Sequence, residues 1–326
     1  MGFPTQRLRR LRRNENIRRM VGECTLTVND LIFPMFVIHG RGIKEEIKEL
    51  PGNYHLSVDR LIEEAKNVRD LGIPAVILFG LPDKKDDMAS EAYAPNGIVL
   101  QAIRALKTKV PDIIIISDVC LCEYTSHGHC GVIKDGYLQN DESLELLKKV
   151  TLSHAEAGVD VVAPAAMLDG QIRAMRETLD ANGYIGVCIM GYSSKYASKL
   201  YDPFFKSGTQ STLAFGDKKS HQMDYANSDE AMREIALDIE EGVDIIMVKP
   251  GMFYLDIVYR AKQQFGMPLA VYNVSGEYTM VKSAAQLGRI DESSIVMELL
   301  TSFKRAGADL ILTYFAKEIA KSLTKR

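Results

Sequence analysis

Residues 243–249 read VDIIMVK, a short run in which every position from 245 to 248 is aliphatic or Met. A strand this uniformly apolar is typical of a parallel sheet that is covered on both faces. Seven further runs of similar character are spaced along the chain, with longer charged stretches between them. In chain order the eight runs are 31–38, 74–79, 112–118, 159–163, 185–190, 243–249, 268–273 and 308–314.

The stretches between these runs have the periodicity of amphipathic helices. In 294–306, SIVMELLTSFKRA, apolar residues recur at about every third or fourth position, as expected for a helix that packs on a barrel. Gly158, Gly242 and Gly307 stand between such a stretch and the next apolar run. Glycine often ends a helix, so this spacing predicts helices that lead directly into strands. Similar helical stretches are 57–71, 141–157 and 226–241.

Eight strand–helix units predict an α/β protein with a (β/α)8 TIM barrel. No Gly-x-Gly-x-x-Gly pattern follows the first strand, which argues against an open dinucleotide-binding sheet. The sequence contains neither a short-period repeat nor a low-complexity linker. We therefore expect one catalytic barrel over residues 31–326, preceded by an N-terminal arm over residues 1–30.

Composition limits the classes of function that fit. The chain has 326 residues, of which 46% are hydrophobic and 25% are charged, and its formal charge of −3 does not favour nucleic acid as a partner. No apolar run approaches the about 18–20 residues that span a bilayer. The five cysteines are an odd number, and three lie close together. This favours metal binding in a reducing compartment over a disulfide framework, so we expect a cytoplasmic protein without a membrane partner.

The N-terminus is strongly basic. Residues 1–20 contain seven arginines and a single acid, Glu15. An arginine-rich start can be a transit peptide, but this one has no serine and no obvious cleavage region. A patch for nucleic acid or anionic lipid is a second interpretation. We expect instead an arm that docks on a neighbouring subunit.

Unusual polar residues follow several of the predicted strands at their C-terminal ends. In a TIM barrel these ends form the active-site face. Asp118 ends the third run and Lys249 ends the sixth, while Lys195 follows the fifth run, Ser275 follows the seventh and Tyr314 ends the eighth. We expect these side chains to meet at one mouth of the barrel.

The strongest local signal is residues 118–130, DVCLCEYTSHGHC. Three thiolates, from Cys120, Cys122 and Cys130, would leave one position of a tetrahedral ion open, which is the arrangement of a catalytic zinc. The alternative is a set of buried free cysteines, but the glycines and polar residues make this a poor core segment. His127 and His129 are more typical of a surrounding loop than of ligands.

Two lysines point to covalent chemistry. Lys249 ends a buried strand, where lost hydration lowers the pKa of the amine and makes it a nucleophile. The alternative is a lysine that reaches solvent at the barrel rim. Lys195, in GYSSKYAS, is a weaker signal alone. Two amines at one mouth repel when both are protonated, so at least one should be neutral near pH 7. This favours Schiff-base chemistry on carbonyl substrates.

At this point the chain resembles the porphobilinogen synthases, also called 5-aminolevulinate dehydratases, over nearly its whole length. Besides the metal loop, the resemblance is carried by the arm and by four later segments. They are PTQRLRRLR (4–12), MVKPG (247–251), YLDIV (254–258), VSGEY (274–278) and KRAGAD (304–309).

The resemblance implies a lyase of the dehydratase class in tetrapyrrole and heme biosynthesis. It implies that two molecules of 5-aminolevulinate condense into porphobilinogen with loss of two waters. It also implies zinc as cofactor and a homo-octamer in which the arm wraps a neighbouring subunit. Glu234 matches a family position linked to an allosteric magnesium, in partnership with an arm arginine.

The resemblance further implies catalytic and binding roles. Lys249 would form a Schiff base with the first substrate, whose carboxylate Ser275 and Tyr314 would hold. Lys195 would form a Schiff base with the second substrate, and Asp118 would transfer protons or donate hydrogen bonds nearby. Cys120, Cys122 and Cys130 would bind the zinc. The second-substrate pocket would contain Tyr201, Phe205, Lys206, Lys218 and Gln222.

The chain departs from the family pattern near the second substrate. Lys206 and Lys218 are offered where the family commonly has two arginines, and without a gap Phe205 takes the place of the first. Ala165 and Gly191 stand where serines are usual. Ser220 replaces a cysteine that binds a second metal in animal members, so we do not expect that site.

These departures leave two alternatives to a porphobilinogen synthase. One is a paralog that uses the same Schiff-base and zinc chemistry on a different second substrate. The other is a non-catalytic, metal-binding barrel, although such a protein would have no need of the lysine pair. A lysine-dependent aldolase would not explain three clustered thiols.

Overall fold

The structure is a computed structural model that describes residues 5–324. Its strands, in chain order, are β1 (Leu31–Ile38), β2 (Lys44–Glu46), β3 (Tyr54–Ser57), β4 (Ala75–Leu81), β5 (Ile114–Val119), β6 (Val132–Lys134), β7 (Tyr137–Gln139), β8 (Val161–Pro164), β9 (Cys188–Lys195), β10 (Ile245–Lys249), β11 (Leu269–Asn273) and β12 (Leu310–Thr313). Its α-helices are α1 (Glu15–Met20), α2 (Val58–Asp70), α3 (Ile98–Lys109), α4 (Asn140–Ala157), α5 (Gln171–Ala181), α6 (Asp229–Glu240), α7 (Leu255–Phe265), α8 (Ser275–Gln286), α9 (Glu292–Ala306) and α10 (Ala316–Leu323).

A closed parallel barrel forms the body of the molecule. Its strands follow the order β1, β4, β5, β8, β9, β10, β11 and β12, and β12 pairs with β1 to close the ring. Each of the eight apolar runs in the sequence supplies one of these strands, which confirms the predicted (β/α)8 fold. In the part of the chain described, no helix has the length and apolar character needed to cross a membrane.

Four short strands were not predicted. β3 pairs in parallel with the end of β1 and antiparallel with β2, so this pair extends the sheet beside the barrel. β6 and β7 form a separate hairpin after the cysteine-rich loop. All four have three or four residues, too few to show an alternating pattern in the sequence.

Residues buried on both faces explain why the strands read as unbroken apolar runs. Every residue of β4 is buried. Toward the C-terminal ends of the strands the interior is aromatic: the Phe36 ring stacks on Phe79 at 5.5 Å and on Tyr314 at 6.4 Å between centroids. The polar residues at the strand ends lie next to this aromatic layer.

Helix ends return the chain to the barrel as the glycine spacing predicted. Gly158 after α4 has φ 97° and Gly307 after α9 has φ 119°, a left-handed conformation that glycine adopts without a steric penalty. At the start of α9, the Asp291 side chain accepts a hydrogen bond from the Ser294 amide.

The N-terminal segment lies outside this core. Residues 8–12 form a 3-10 helix and α1 follows, and neither contains a buried residue. Leu8 and Met20 are exposed. Residues 1–4 of the predicted arm lie outside the described residues.

A long segment between β9 and α6 crosses the C-terminal mouth of the barrel. We call residues 199–217 the lid. It contains a 3-10 turn, Lys199–Tyr201, and a π-helical turn, Phe204–Gly208. His55 donates a hydrogen bond to the Gly208 carbonyl at 2.7 Å, and Lys85 donates one to the Gln210 carbonyl at 2.8 Å. The lid is thus tied to β3 and to the loop that follows β4.

Candidate active site

The two lysines of the barrel mouth are direct neighbours. Lys249 at the end of β10 pairs in register with Lys195 at the end of β9. Asp118 lies one residue before the end of β5, Ser275 begins α8 after β11, and Tyr314 follows β12. All five residues predicted at strand ends therefore lie at the same end of the barrel.

Lys249 occupies an aromatic cage. Its side chain is almost completely buried, and burial, followed by repulsion from Lys195, lowers the pKa of the amine to about 7. A substantial fraction of the amine is therefore neutral at neutral pH and able to attack a carbonyl. The distances from Nζ to the ring centroids are 4.3 Å for Tyr272, 4.9 Å for Tyr192, 5.0 Å for Tyr201 and 5.5 Å for Phe204.

Lys195 is buried as well, with 4% of the residue exposed. Its ammonium donates a hydrogen bond to the Ala165 carbonyl and lies 5.4 Å from the Tyr192 ring. The sequence interpretation placed Lys195 in a loop after a strand over 185–190. In the structure β9 continues through Ser193 and Ser194 to Lys195. The hydroxyls of these serines do not resemble a buried apolar run, so the sequence pattern ends the strand too early.

Asp118 stands between these amines and the cysteine loop. Its Oδ1 accepts a hydrogen bond from the Tyr192 hydroxyl at 2.9 Å. Burial and the neighbouring Glu123 raise the pKa of the carboxyl to about 7, while Lys249 and Lys195 act in the opposite direction. A carboxyl with a pKa near neutrality can both accept and donate a proton, as a general acid–base group must.

The three predicted metal ligands are together. The sulfur atoms of Cys120, Cys122 and Cys130 all lie within 4.8 Å of one another, and all three residues are buried. Hydrogen bonds from the other two thiols lower the pKa of Cys130 well below its ordinary value. A trio of buried thiols is a soft donor set that suits zinc, and three ligands leave a fourth tetrahedral position for a water or a substrate atom.

The two histidines of this loop are engaged elsewhere. His129 Nε2 lies 3.0 Å from the Phe215 carbonyl in the lid, and His127 Nδ1 accepts a hydrogen bond from the His129 amide at 3.2 Å. Within residues 5–324 neither joins the three thiols as a potential ligand. This agrees with the interpretation that they belong to the surrounding loop.

The cysteine loop and the lid fit closely together. Gly128 has φ +74°, and a Cβ atom there would lie 2.7 Å from the Thr212 carbonyl oxygen and 2.9 Å from that of Ser211. The Ala214 amide donates a hydrogen bond to the His127 carbonyl at 3.1 Å. A residue larger than glycine at position 128 would displace the lid.

The proposed second-substrate side is lined by Lys218 and Gln222. Lys218 is 6% exposed, and its Nζ lies 3.3 Å from Cys130 Sγ and 4.3 Å from the centre of the Phe205 ring. Gln222 is buried, and its Nε2 has no hydrogen-bond partner within the described residues. An unsatisfied buried donor is a suitable contact for a polar ligand.

Lys206 is placed differently. Its side chain is exposed on the π-helical turn of the lid, while the preceding Phe205 turns its ring toward Lys218. In this structure Lys206 is therefore not among the buried side chains of the site, whereas Phe205 contacts Lys218. An open cleft of 1020 Å³ reaches Phe205 and Lys218 from the outer side of the lid.

The first-substrate side is closed by the lid. The Ser275 hydroxyl donates a hydrogen bond to the Leu200 carbonyl at 3.1 Å and accepts one from the Phe204 amide at 3.2 Å. The Tyr314 hydroxyl lies 3.1 Å from that of Tyr272, and the Tyr201 hydroxyl donates to the Lys249 carbonyl at 3.1 Å. Ser275 thus connects the start of α8 to the lid.

Two residues of the site were not identified from the sequence. Tyr192 has no distinctive signal of its own within the GYSSKYAS segment, yet it contacts Asp118 and both lysines. Glu277 is fully buried and accepts hydrogen bonds from the amides of Gly251, Met252 and Val274, at 3.0, 2.7 and 3.1 Å. It thereby fixes the chain that follows Lys249 against the chain that precedes Ser275. A glutamate inside the VSGEY segment was the available signal.

Glu234 lies apart from this mouth, half-buried on α6. It borders a cavity of 540 Å³ with Asp169, Asp224 and Glu230. Burial, followed by the charge of Asp169, raises the pKa of its carboxyl. Oxygen ligands of this kind suit magnesium.

Comparison with known proteins gives a consistent result. A family model described as delta-aminolevulinic acid dehydratase matches residues 5–322. The chain is 54% identical over 325 residues to the delta-aminolevulinic acid dehydratase of Synechocystis sp., covering 98% of this chain and 99% of that protein. Against the Bacillus subtilis protein of the same name it is 49% identical over 319 residues, covering 98% of each. A Toxoplasma gondii delta-aminolevulinic acid dehydratase (porphobilinogen synthase), solved with its reaction product porphobilinogen, superposes with a TM-score of 0.96 at 42% identity, covering 98% of this chain and 92% of that one.

Proposed function

The chain belongs to the delta-aminolevulinic acid dehydratase family, and from that premise we propose how its residues divide the work of making porphobilinogen. The enzyme is a hydro-lyase of heme biosynthesis that condenses two molecules of 5-aminolevulinate and releases two waters. The observation that carries the assignment of roles is the in-register pair Lys195 and Lys249 beside three buried thiols. A different second substrate and a non-catalytic barrel are both disfavoured by the extent of the similarity.

Lys249 takes the first substrate. Its neutral amine attacks the ketone carbon, and loss of water gives an iminium whose positive charge faces the rings around Nζ. Ser275 and Tyr314 receive the carboxylate of this substrate. Binding it draws the Ser275 hydroxyl from its present partners in the lid, so occupation of this side and the position of the lid are linked.

Lys195 takes the second substrate through its own Schiff base. Lys218 and Gln222 hold the second carboxylate, the first by charge and the second through its unpaired amide nitrogen. A lysine offers a mobile point charge where a guanidinium would make two parallel hydrogen bonds. Lys206 has no part in this proposal, since its side chain is exposed.

Asp118 moves protons between the two reacting molecules. It lies close enough to both lysines for their charges to affect its pKa, and Tyr192 fixes its orientation. Carbon–carbon bond formation requires loss of a proton from the carbon next to the ketone-derived carbon of one substrate, which then attacks the ketone-derived carbon of the other, and closure of the ring requires further transfers. Two reactants fixed on adjacent strands replace a bimolecular encounter by an oriented one.

Cys120, Cys122 and Cys130 hold zinc. Zinc held by these three thiols would supply Lewis acidity toward a carbonyl of the second substrate. The choice of zinc over magnesium at this site rests on the donor set, because magnesium prefers oxygen ligands. We assign magnesium instead to the acidic cavity at Glu234, as an allosteric ion.

Trapping with borohydride tests the roles of the lysines. The enzyme is incubated with 5-aminolevulinate, reduced and mapped by peptide mass spectrometry, while a colour reagent measures pyrrole formation. We expect label at Lys249, and we expect Lys249→Met to lose the label at this position and to form no product. Label confined to exposed lysines such as Lys206 would refute the assignment. Removal of the metal by a chelator should abolish pyrrole formation, and added zinc should restore it.

We also propose a homo-octamer in which residues 1–30 contact a neighbouring subunit. The helical segments Leu8–Arg12 and Glu15–Met20 contain no buried residue, and the acidic side chains near Glu234 are a suitable partner for the basic arm. Deleting residues 1–20 should lower the mass measured by light scattering and leave zinc content unchanged. An unaltered mass would contradict this role of the arm.

A further inference from the structure

Among the described residues, the Nζ atom of Lys218 contacts a thiol and an aromatic ring. Its ammonium lies 3.3 Å from Cys130 Sγ on one side and 4.3 Å from the centre of the Phe205 ring on the other. In the described part of the chain, a cysteine sulfur is therefore the hydrogen-bond partner of the Lys218 side chain.

The Nζ atom of Lys218 lies within hydrogen-bond distance of one thiol of the cluster, so its charge can act directly on the metal ligands. A divalent cation with three thiolates carries a net charge of −1. The buried Glu123 carboxyl accepts a hydrogen bond from the Cys122 thiol at 3.3 Å. Isolated charge in a buried site is unfavourable for the metal centre and equally for the lysine. The ammonium of Lys218 and the thiolates of the metal site would therefore stabilise each other.

We propose that Lys218 is a positioning residue of the metal centre, whose ammonium donates a hydrogen bond to the Cys130 thiolate and compensates the charge of the three thiolates. This inference rests on the proposed metal site and adds a residue to it. An ammonium has three N–H donors, so the contact with Cys130 leaves two for the carboxylate of the second substrate. Lys218 then joins the ion to that substrate through a single charge.

The adjacent residue provides a matched control. Lys219 has the same side chain and is exposed, whereas Lys218 is buried against the thiols. Replacing either lysine by methionine removes the same charge from the chain. A loss of metal affinity confined to position 218 therefore reports contact with the thiolate and not the overall charge of the protein.

The test uses the full chain, stripped of metal and titrated with cobalt(II) and with zinc. Absorption of the thiolate–cobalt bands reports the environment of the sulfurs, and competition with a chromophoric chelator reports zinc affinity. We expect Lys218→Met to bind zinc about 10–100-fold more weakly than the unsubstituted protein and to shift the cobalt bands. Lys219→Met should match the unsubstituted protein, and Lys218→Arg, which keeps the charge, should recover most of the affinity.

Each outcome separates this inference from the proposed function. If the unsubstituted protein binds the ion and Lys218→Met binds it equally well with unchanged cobalt bands, the role of Lys218 is refuted and the zinc site stands. If the unsubstituted protein binds no ion through thiolates, both fail. Circular dichroism verifies folding, and Lys218→Gln replaces Lys218→Met if the methionine variant does not fold.

Discussion

At the scale of single residues, two effects act on the amine of Lys249. Burial disfavours its charged form, whereas the four surrounding rings attract a cation. Burial prevails in the free enzyme, so the amine can react. Once a protonated Schiff base has formed, the same rings stabilise its positive charge. One cage thus favours the reactive amine before the reaction and the cationic adduct after it.

The lowered pKa of Lys249 predicts the pH dependence of trapping. Only the neutral amine attacks a ketone, so the rate of reduced-adduct formation should rise as the pH increases through about 7 and then level off. An amine of ordinary pKa, 10.5, would give a rate that still rises at pH 9. Initial trapping rates between pH 5.5 and 9 distinguish the two profiles, and a continued rise to pH 9 would refute the shift.

Tyr192→Phe should separate adduct formation from turnover. The variant keeps the ring between the two lysines and loses only the hydroxyl that orients Asp118. A hydrogen bond to a charged group contributes about 1.5–3 kcal/mol, so kcat should fall by about one to two orders of magnitude while trapping at Lys249 continues. Tyr196→Phe is the control, because the Tyr196 hydroxyl donates to the Asn227 carbonyl away from Asp118. Equal kcat values for the two variants would exclude the role of Tyr192.

Residues with distinctive chemistry were predictable from the sequence, and residues that act through contacts were not. Three cysteines in thirteen positions and a lysine at the end of a buried run are unusual in any protein, so their function shows in the pattern. Tyr192 is an ordinary tyrosine until Asp118, 74 residues away in the chain, is brought to its hydroxyl. Lys218 likewise acquires its partner Cys130 from 88 residues away.

At the scale of elements, the barrel strands were predicted to within a few residues at each end. β1 coincides with the run 31–38, because burial on both faces leaves no polar residue to obscure it. The lid was not predicted as an element. Its turns are held by distant groups such as His55 and Lys85, and no local periodicity encodes these contacts. The hydrophobic pattern therefore predicts the barrel strands but not the structure of the lid.

Ser275→Ala should loosen the lid before substrate binds. The change leaves the Leu200 carbonyl and the Phe204 amide without their common partner, at a cost of about 1–3 kcal/mol. Hydrogen exchange at the Phe204 amide should accelerate, and the apparent KM should rise. Ser283→Ala, at an exposed position on the same helix, should change neither quantity. Unchanged exchange at Phe204 would show that the lid is held without Ser275.

At the scale of the whole molecule, a buried histidine makes the fold sensitive to acid. His154 on α4 contacts Ser117 of β5, with 2.8 Å between Nδ1 and Oγ, and burial lowers its pKa to about 3. In the unfolded chain its pKa returns to 6.5. Between these values the unfolded chain binds a proton that the folded chain excludes. Its contribution to stability is therefore complete above pH 6.5 and is lost as the pH falls toward 3.

His154→Asn should reduce this sensitivity. Asparagine retains a polar atom near the position of Nδ1 but does not titrate. From pH 7 to pH 4.5 the histidine should account for about 2–3 kcal/mol of lost unfolding free energy, and the variant should be less pH-dependent by that amount. Urea denaturation at the two pH values measures the difference. Parallel losses in both proteins would mean that His154 is not the sensor.

The close approach of the cysteine loop to the lid has a consequence for how long an ion stays in the enzyme. Because a Cβ atom at Gly128 would meet the carbonyls of Ser211 and Thr212, the lid lies directly against the cysteine loop, and we expect the ion and the substrates to enter through the same opening. We then expect an ion to exchange only while the lid is away from the cysteine loop. Bound substrate should shorten the time that the lid spends in this open position. Residence time, rather than affinity alone, becomes the quantity that protects the metal from competing chelators. A working enzyme should therefore exchange isotopically labelled zinc more slowly than a resting one.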